Sequence, residues 1–212
     1  MQIIDQSTWP RKEAFDFYSA ISCPFYMVTF RLDVTRLCQY VKAQGQSFYL
    51  SLIYLCTETV NEIEAFRYVI RDGQVGLLEG RDPVFCDLKP GAELFHIVSV
   101  ERGGSLAEFC RRAKEKSLAQ IGFLSEPLRD DQIIFSCLPW VDMTAITNEH
   151  ELIAPHGADD TDLILCWGKI VESEGKKQIH VSIDVNHRFI DGLTIGRFVQ
   201  GLEAKIAALP LA

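Results

Sequence analysis

The stretch Gln178-Ile179-His180-Val181-Ser182-Ile183-Asp184-Val185-Asn186-His187-Arg188-Phe189-Ile190-Asp191-Gly192 decides how the chain is read. Ile179, Val181, Ile183 and Val185 alternate with Gln178, His180, Ser182 and Asp184, the period of a β-strand with one face on a core. The strand ends at a histidine. Five residues later a glycine opens Gly192 to Leu209, an amphipathic pattern stopped by Pro210. A titratable imidazole between a strand end and a helix N-terminus suits proton transfer. Spacing alone leaves a plainer reading open, in which His187 ends the strand and Asp191 N-caps the next helix.

Working outward, Arg11–Ala20 has Phe15 and Tyr18 on one helical face, and Phe25–Leu32 is an aromatic, β-branched strand. Asp33 and Thr35 offer caps for a helix to Gln44, stopped by Gly45. Phe48–Ile63 is apolar enough for a buried helix, and Asp72-Gly73 sits between two β-like runs as a hairpin turn. Val84–Leu88, Glu93–Glu101, Ile133–Pro139 and Leu163–Glu172 are predicted strands, with a helix capped by Ser105 running to Gln120. Strands and helices mix without strict alternation. The expected class is α/β, an α+β two-layer sandwich with one large mixed β-sheet and helices packed on one face, forming a single domain over residues 1–212.

Composition excludes several functions. With 21 Lys+Arg against 29 Asp+Glu the net charge is −8, the wrong sign for a nucleic-acid partner. Apolar types make up 48%, which excludes disorder. No apolar run reaches the roughly 20 residues a membrane span needs, and Met1-Gln2-Ile3-Ile4-Asp5 does not open like a signal peptide. The seven cysteines are odd in number and include no C-x-x-C pair, which suits reduced thiols in a cytoplasmic protein. No metal is expected: His96, His150, His156 and His180 lack ligand spacing and are placed on the surface or in loops. Asp142, Glu149, Asp159, Asp160 and Asp162 are taken as a solvated acidic region. Arg111, Arg112, Lys114 and Lys116 are taken as a solvated basic helix face. Cys137 is expected on the opposite strand face from Ser136, as a core thiol.

His187-Arg188-Phe189-Ile190-Asp191-Gly192 resembles the H-x-x-x-D-G signature of the chloramphenicol acetyltransferase and dihydrolipoamide acyltransferase superfamily. Four further segments, in order, are similar to the chloramphenicol acetyltransferase branch: Trp9-Pro10-Arg11-Lys12-Glu13-Ala14-Phe15; Phe48-Tyr49 through Asn61 to Phe66-Arg67; Ser136-Cys137-Leu138-Pro139-Trp140-Val141; and Lys169 after its strand. The resemblance implies direct acetyl transfer from acetyl-CoA to a hydroxyl of chloramphenicol or a similar small molecule. His187 would be the general base and Ser136 the hydroxyl that steadies the oxyanion. Arg11 and Asp191 would form a buried ion pair supporting the site. Phe25, Tyr26 and Phe95 would line the acceptor pocket, and Trp140 and Lys169 the CoA channel. It also implies a homotrimer, with the histidine from one subunit and most of the acceptor pocket from the next.

The chain departs from that pattern in places. Asn186 stands where a second histidine is usual, Cys166 where a threonine is, and Ile170 where an aromatic is; Val84–Gln120 matches poorly. Two alternatives therefore stand beside chloramphenicol acetylation. One is a same-fold acyltransferase with another small-molecule acceptor, and the other is a non-enzymatic trimeric ligand-binding relative.

Overall fold

A computed structural model of the chain describes residues 1–150 and 159–210. In chain order its elements are β1 (Gln2–Ile3), α1 (Lys12–Ser19), β2 (Phe25–Asp33), α2 (Thr35–Gln44) and α3 (Phe48–Glu62). After a 3-10 turn over Glu64–Arg67 come β3 (Tyr68–Arg71), β4 (Gln74–Leu77), β5 (Asp82–Asp87), β6 (His96–Ser99) and α4 (Leu106–Ala119). The remainder is β7 (Gln132–Leu138), β8 (Ile164–Gly168), β9 (Val171–Ser173), β10 (Lys176–Asn186) and α5 (Gly192–Ala208).

Local chemistry sets most boundaries. Gly45 ends α2 at φ 64°, the left-handed region that glycine enters without penalty. Ser105 and Glu108 form a reciprocal capping box at the start of α4. Asp72 and Gly73 both take positive φ, as the tight turn between β3 and β4 requires.

The large sheet has seven strands, ordered β2-β10-β8-β7-β5-β6 with β9 beside β10. β5, β7 and β8 are mutually parallel, whereas the β2–β10, β10–β8 and β5–β6 pairs are antiparallel. A mixed sheet with helices is thus what the sequence led one to expect. A second sheet, ordered β1-β4-β3, was not expected. Its first strand has only two residues, too short for any alternation to show.

Two expected strands are shorter. Leu163–Glu172 breaks after Gly168, where the Lys169 amide turns to the Val141 carbonyl at 2.7 Å. A Cβ at Gly168 would lie 2.7 Å from that same oxygen, so only glycine admits the crossing segment. Glu93–Glu101 reduces to the four residues of β6.

The core lies between the sheet and helices α2 to α5, with Phe85, Phe109, Phe135, Trp167 and Phe198 essentially inaccessible. The other sheet face carries Met27, Thr29, Ser136, Cys166, Ser182 and Asp184, and no helix among the described residues covers it. Segment 139–150 covers part of it, with Met143 buried there.

Candidate active site

The turn after β10 is built by its own backbone. The His187 amide donates to the Pro24 carbonyl at 2.7 Å, fastening the turn to the entrance of β2. The imidazole Nδ1 lies 2.8 Å from the Ile190 carbonyl oxygen. A carbonyl can only accept, so Nδ1 carries the hydrogen and the neutral ring keeps its lone pair on Nε2. The ring is held between two aromatics. Tyr18 stacks at 3.9 Å between centroids, and Tyr26 lies at 4.2 Å, tilted by 36°. The Tyr26 hydroxyl is buried without a hydrogen-bond partner among the described residues. Burial chiefly, with the Asp191 charge adding, pushes it up to about 12.

Asp191 supports this turn in two ways. Its Oδ1 accepts from the Thr194 amide and the Thr194 hydroxyl, both at 2.8 Å, which N-caps α5. Its Oδ2 accepts from Arg11 Nη2 at 3.1 Å. The pairing is therefore present, and within one chain its side chains are 26% and 42% exposed rather than buried. Burial pushes the carboxyl up, but the Thr194 bonds and Arg11 outweigh it and hold the group below the usual carboxylate range. The plainer capping role and the ion pair coexist.

Ser136 sits elsewhere in the chain. It is opposite Cys166, which is opposite Ser182, so all three share one sheet face. Thr29 extends the row, 2.5 Å from the Ser182 hydroxyl. Ser136 also hydrogen-bonds the Cys166 thiol, which burial pushes up to about 11. Ser182 precedes His187 by five residues and lies two strands from Ser136. At about 3.3 Å per residue and about 4.8 Å per strand, Ser136 and His187 are about 19 Å apart. One chain does not bring them together.

The predicted acceptor residues divide in the same way. Phe25 and Tyr26 belong to β2 at one edge of the sheet, with Tyr26 against His187. Phe95 precedes β6 at the opposite edge, 43% exposed and packed edge-on against Phe123 at 5.3 Å.

Trp140 and Lys169 do come together. Both line a cleft of about 690 Å³ at the ends of β5, β7 and β8, floored by Tyr49, Cys137 and Trp167. Trp140 is 71% exposed at its mouth. An indole face and an ammonium group suit an adenine ring and phosphates, and the apolar floor suits a pantetheine arm. Cys137 points away from Ser136, as alternation requires, but it lies at this cleft half-buried rather than sealed in the core.

Sequence reasoning placed the spare histidines and acidic residues on the surface, and several are interior. His96 is buried and bonded to the Ser117 hydroxyl at 3.0 Å. His150 contacts Asp160 at 3.2 Å and Asp184 at 3.3 Å, and all three side chains are under a tenth exposed. Burial, reinforced by Asp160, pushes the Asp162 carboxyl up to about 6. Asp142 and Glu149 are exposed as expected, and His180 is half-buried beside Asp142. His156 lies outside the described residues. The one available signal for the cluster was Asp184, a charge on the alternating strand β10. Among the described residues, no group of three or more His, Cys, Asp or Glu converges as a metal site, and no helix is long and apolar enough to cross a membrane.

Comparison with known proteins agrees with this geometry. The family model for chloramphenicol acetyltransferase matches residues 1–203. A chloramphenicol acetyltransferase of Vibrio anguillarum is 29% identical over 98% of this chain and 95% of its own length. Chloramphenicol acetyltransferase 2 of Escherichia coli is 28% identical over 94% of each. A solved chloramphenicol acetyltransferase structure superposes with a TM-score of 0.87 at 26% identity, over 97% of this chain and 99% of its own. A probable dihydrolipoamide acetyltransferase of Listeria monocytogenes shares the fold at a TM-score of 0.64 and 13% identity. The H-x-x-x-D-G turn, the strand bearing Ser136 and the cleft at Trp140 thus belong to a pattern matched almost end to end, and the chain belongs to the chloramphenicol acetyltransferase family, whose members are acyltransferases.

Proposed function

We propose that the whole chain works as one domain in an acetyl-CoA-dependent O-acetyltransferase, with chloramphenicol or a closely similar hydroxyl compound as acceptor. The observation that carries this reading is the His187 ring. Its Nδ1–H is committed to the Ile190 carbonyl, so Nε2 is left as the acceptor. Nε2 takes the proton from the acceptor hydroxyl as that oxygen attacks the thioester carbon. The C=O electrons move onto oxygen, where the Ser136 hydroxyl donates a hydrogen bond. Collapse of the tetrahedral intermediate expels the CoA thiolate, which takes the proton back from the imidazolium. The products are the acetyl ester and CoA, with no acetyl-enzyme.

His187 and Ser136, about 19 Å apart in one chain, can serve this reaction only from neighbouring copies. The division of Phe25 and Tyr26 from Phe95 supports the same reading. Two different edges of one subunit then meet head to tail, an arrangement that closes into a ring and suits a homotrimer. Trp140 and Lys169 would hold CoA in the cleft. Inactivation of an antibiotic in the cytoplasm fits the acceptor.

The test mixes protein, acetyl-CoA and chloramphenicol and follows thiol release. Turnover that falls at least 1,000-fold in His187→Ala is expected from loss of the base together with ring positioning. Unchanged turnover in that variant, or a monomer in analytical ultracentrifugation, would reject the mechanism. A second reading, another acceptor, is favoured by Asn186, whose amide is spent on the Asp160 carbonyl at 3.0 Å. A panel of hydroxyl compounds separates the two.

A further inference from the structure

Outside the residues given roles above, a buried polar cluster surrounds His150. The His150 Nδ1 faces Asp160 Oδ2 at 3.2 Å and its Nε2 faces Asp184 Oδ2 at 3.3 Å. Asn148 donates to that same Asp184 oxygen at 2.9 Å. A neutral imidazole has one N–H and one lone pair, and a lone pair aimed at a buried carboxylate would repel it. With carboxylate oxygens at both nitrogens, the doubly protonated ring donates to both. Burial opposes the charge, but the two carboxylates outweigh it and hold the imidazolium up to about 10. Asp162 adds a further acidic group to the neighbourhood and Arg188 a cationic one.

The ring stacks flat on Phe25, with centroids 3.7 Å apart and planes 20° from parallel. Phe25 is paired in register with Asn186, the residue before His187. The Asp160 backbone carbonyl accepts from Asn186 Nδ2 at 3.0 Å and from Arg188 Nη2 at 2.9 Å. The cluster therefore touches the residue on each side of His187 as well as the ring at the start of β2.

We propose that His150 is a positioning residue, whose imidazolium clamps segment 139–150 to β10 and fixes the Phe25 ring as a wall of the acceptor pocket. This rests on the acceptor site assigned under the proposed function. The cleft at Trp140 proposed for CoA is lined by none of Phe25, Asn148, His150, Asp160 and Asp184, so the clamp acts on the acceptor alone.

The test uses the intact assembled protein, with His150→Gln and Asp184→Asn. Nitrogen NMR of the parent should show both His150 ring protons retained at pH 8. Calorimetry should show chloramphenicol affinity about tenfold weaker in both variants, the loss of one charge-assisted bond, with CoA affinity unchanged. A ring that titrates near 6.5 overturns the clamp whether or not either variant folds. Equal losses of chloramphenicol and CoA affinity overturn the positioning role. A parent that binds CoA but not chloramphenicol overturns the acceptor assignment and the task given to His150, while its ring protons still decide whether the clamp exists.

Discussion

Replacing Asp191 separates two contributions that one carboxylate makes to the turn after β10. Asp191→Asn keeps an N-cap of equal quality for α5 and removes the charge facing Arg11. The pair is 26% and 42% exposed, so solvent screens it, and its loss should cost about 0–1 kcal/mol. Asp191→Ala removes the cap as well, adding about 1 kcal/mol. For a chain of 212 residues, each kcal/mol lowers the melting temperature by about 2–4 °C. Asp191→Asn should therefore melt within about 4 °C of the parent, and Asp191→Ala a further 2–4 °C lower. Calorimetric melting at one fixed protein concentration, with Arg11→Ala and the double variant closing a cycle, gives the pair energy directly. The pH sign follows from the lowered carboxyl. The contribution is present above the unfolded carboxylate value and disappears as pH falls through the folded one, so parent and Asp191→Asn should converge in acid. A coupling of 3–5 kcal/mol would refute the reasoning, because that is the cost of breaking a fully buried pair.

Ser136→Ala should lower kcat by about 100-fold or more with little change in the acetyl-CoA KM, since one preorganised donor to the oxyanion is lost; a kcat within threefold of the parent would remove Ser136 from the mechanism. Gly168→Ala should cost about 1–3 kcal/mol, because its Cβ meets the Val141 carbonyl at 2.7 Å, and should also weaken CoA binding by displacing Lys169. Melting and CoA titration of that variant check both effects.

Much of the fold was legible because its signals are local. The capping box at Ser105, the left-handed stop at Gly45 and the Asp72-Gly73 turn each act within a few residues. The turn from His187 to Gly192 was legible for the same reason. What escaped detection depends on contacts distant in sequence. The end of β8 is set by Val141 crossing over Gly168. The burial of Asp160 and Asp184 depends on His150 arriving from another segment, which no hydropathy pattern could show. The exposure of the Arg11–Asp191 pair likewise reflects how α1 lies on the turn rather than any feature of either residue's neighbours. Ser136 and His187 were both singled out from sequence, but their separation follows from strand order, and strand order is not written in a strand's own residues.

Strand order also sets a timetable for synthesis. Among the described residues, β2 pairs in the large sheet only with β10, with Asp33 opposite Gln178 and Phe25 opposite Asn186. On a ribosome adding about 5–20 residues per second, β2 waits roughly 8–30 s for its partner to be made. During that interval its apolar residues and its backbone donors and acceptors stay open to other chains. Nascent protein is thus most vulnerable to clumping just before translation ends, and chains cut short ahead of Asn186 should need chaperones or be degraded.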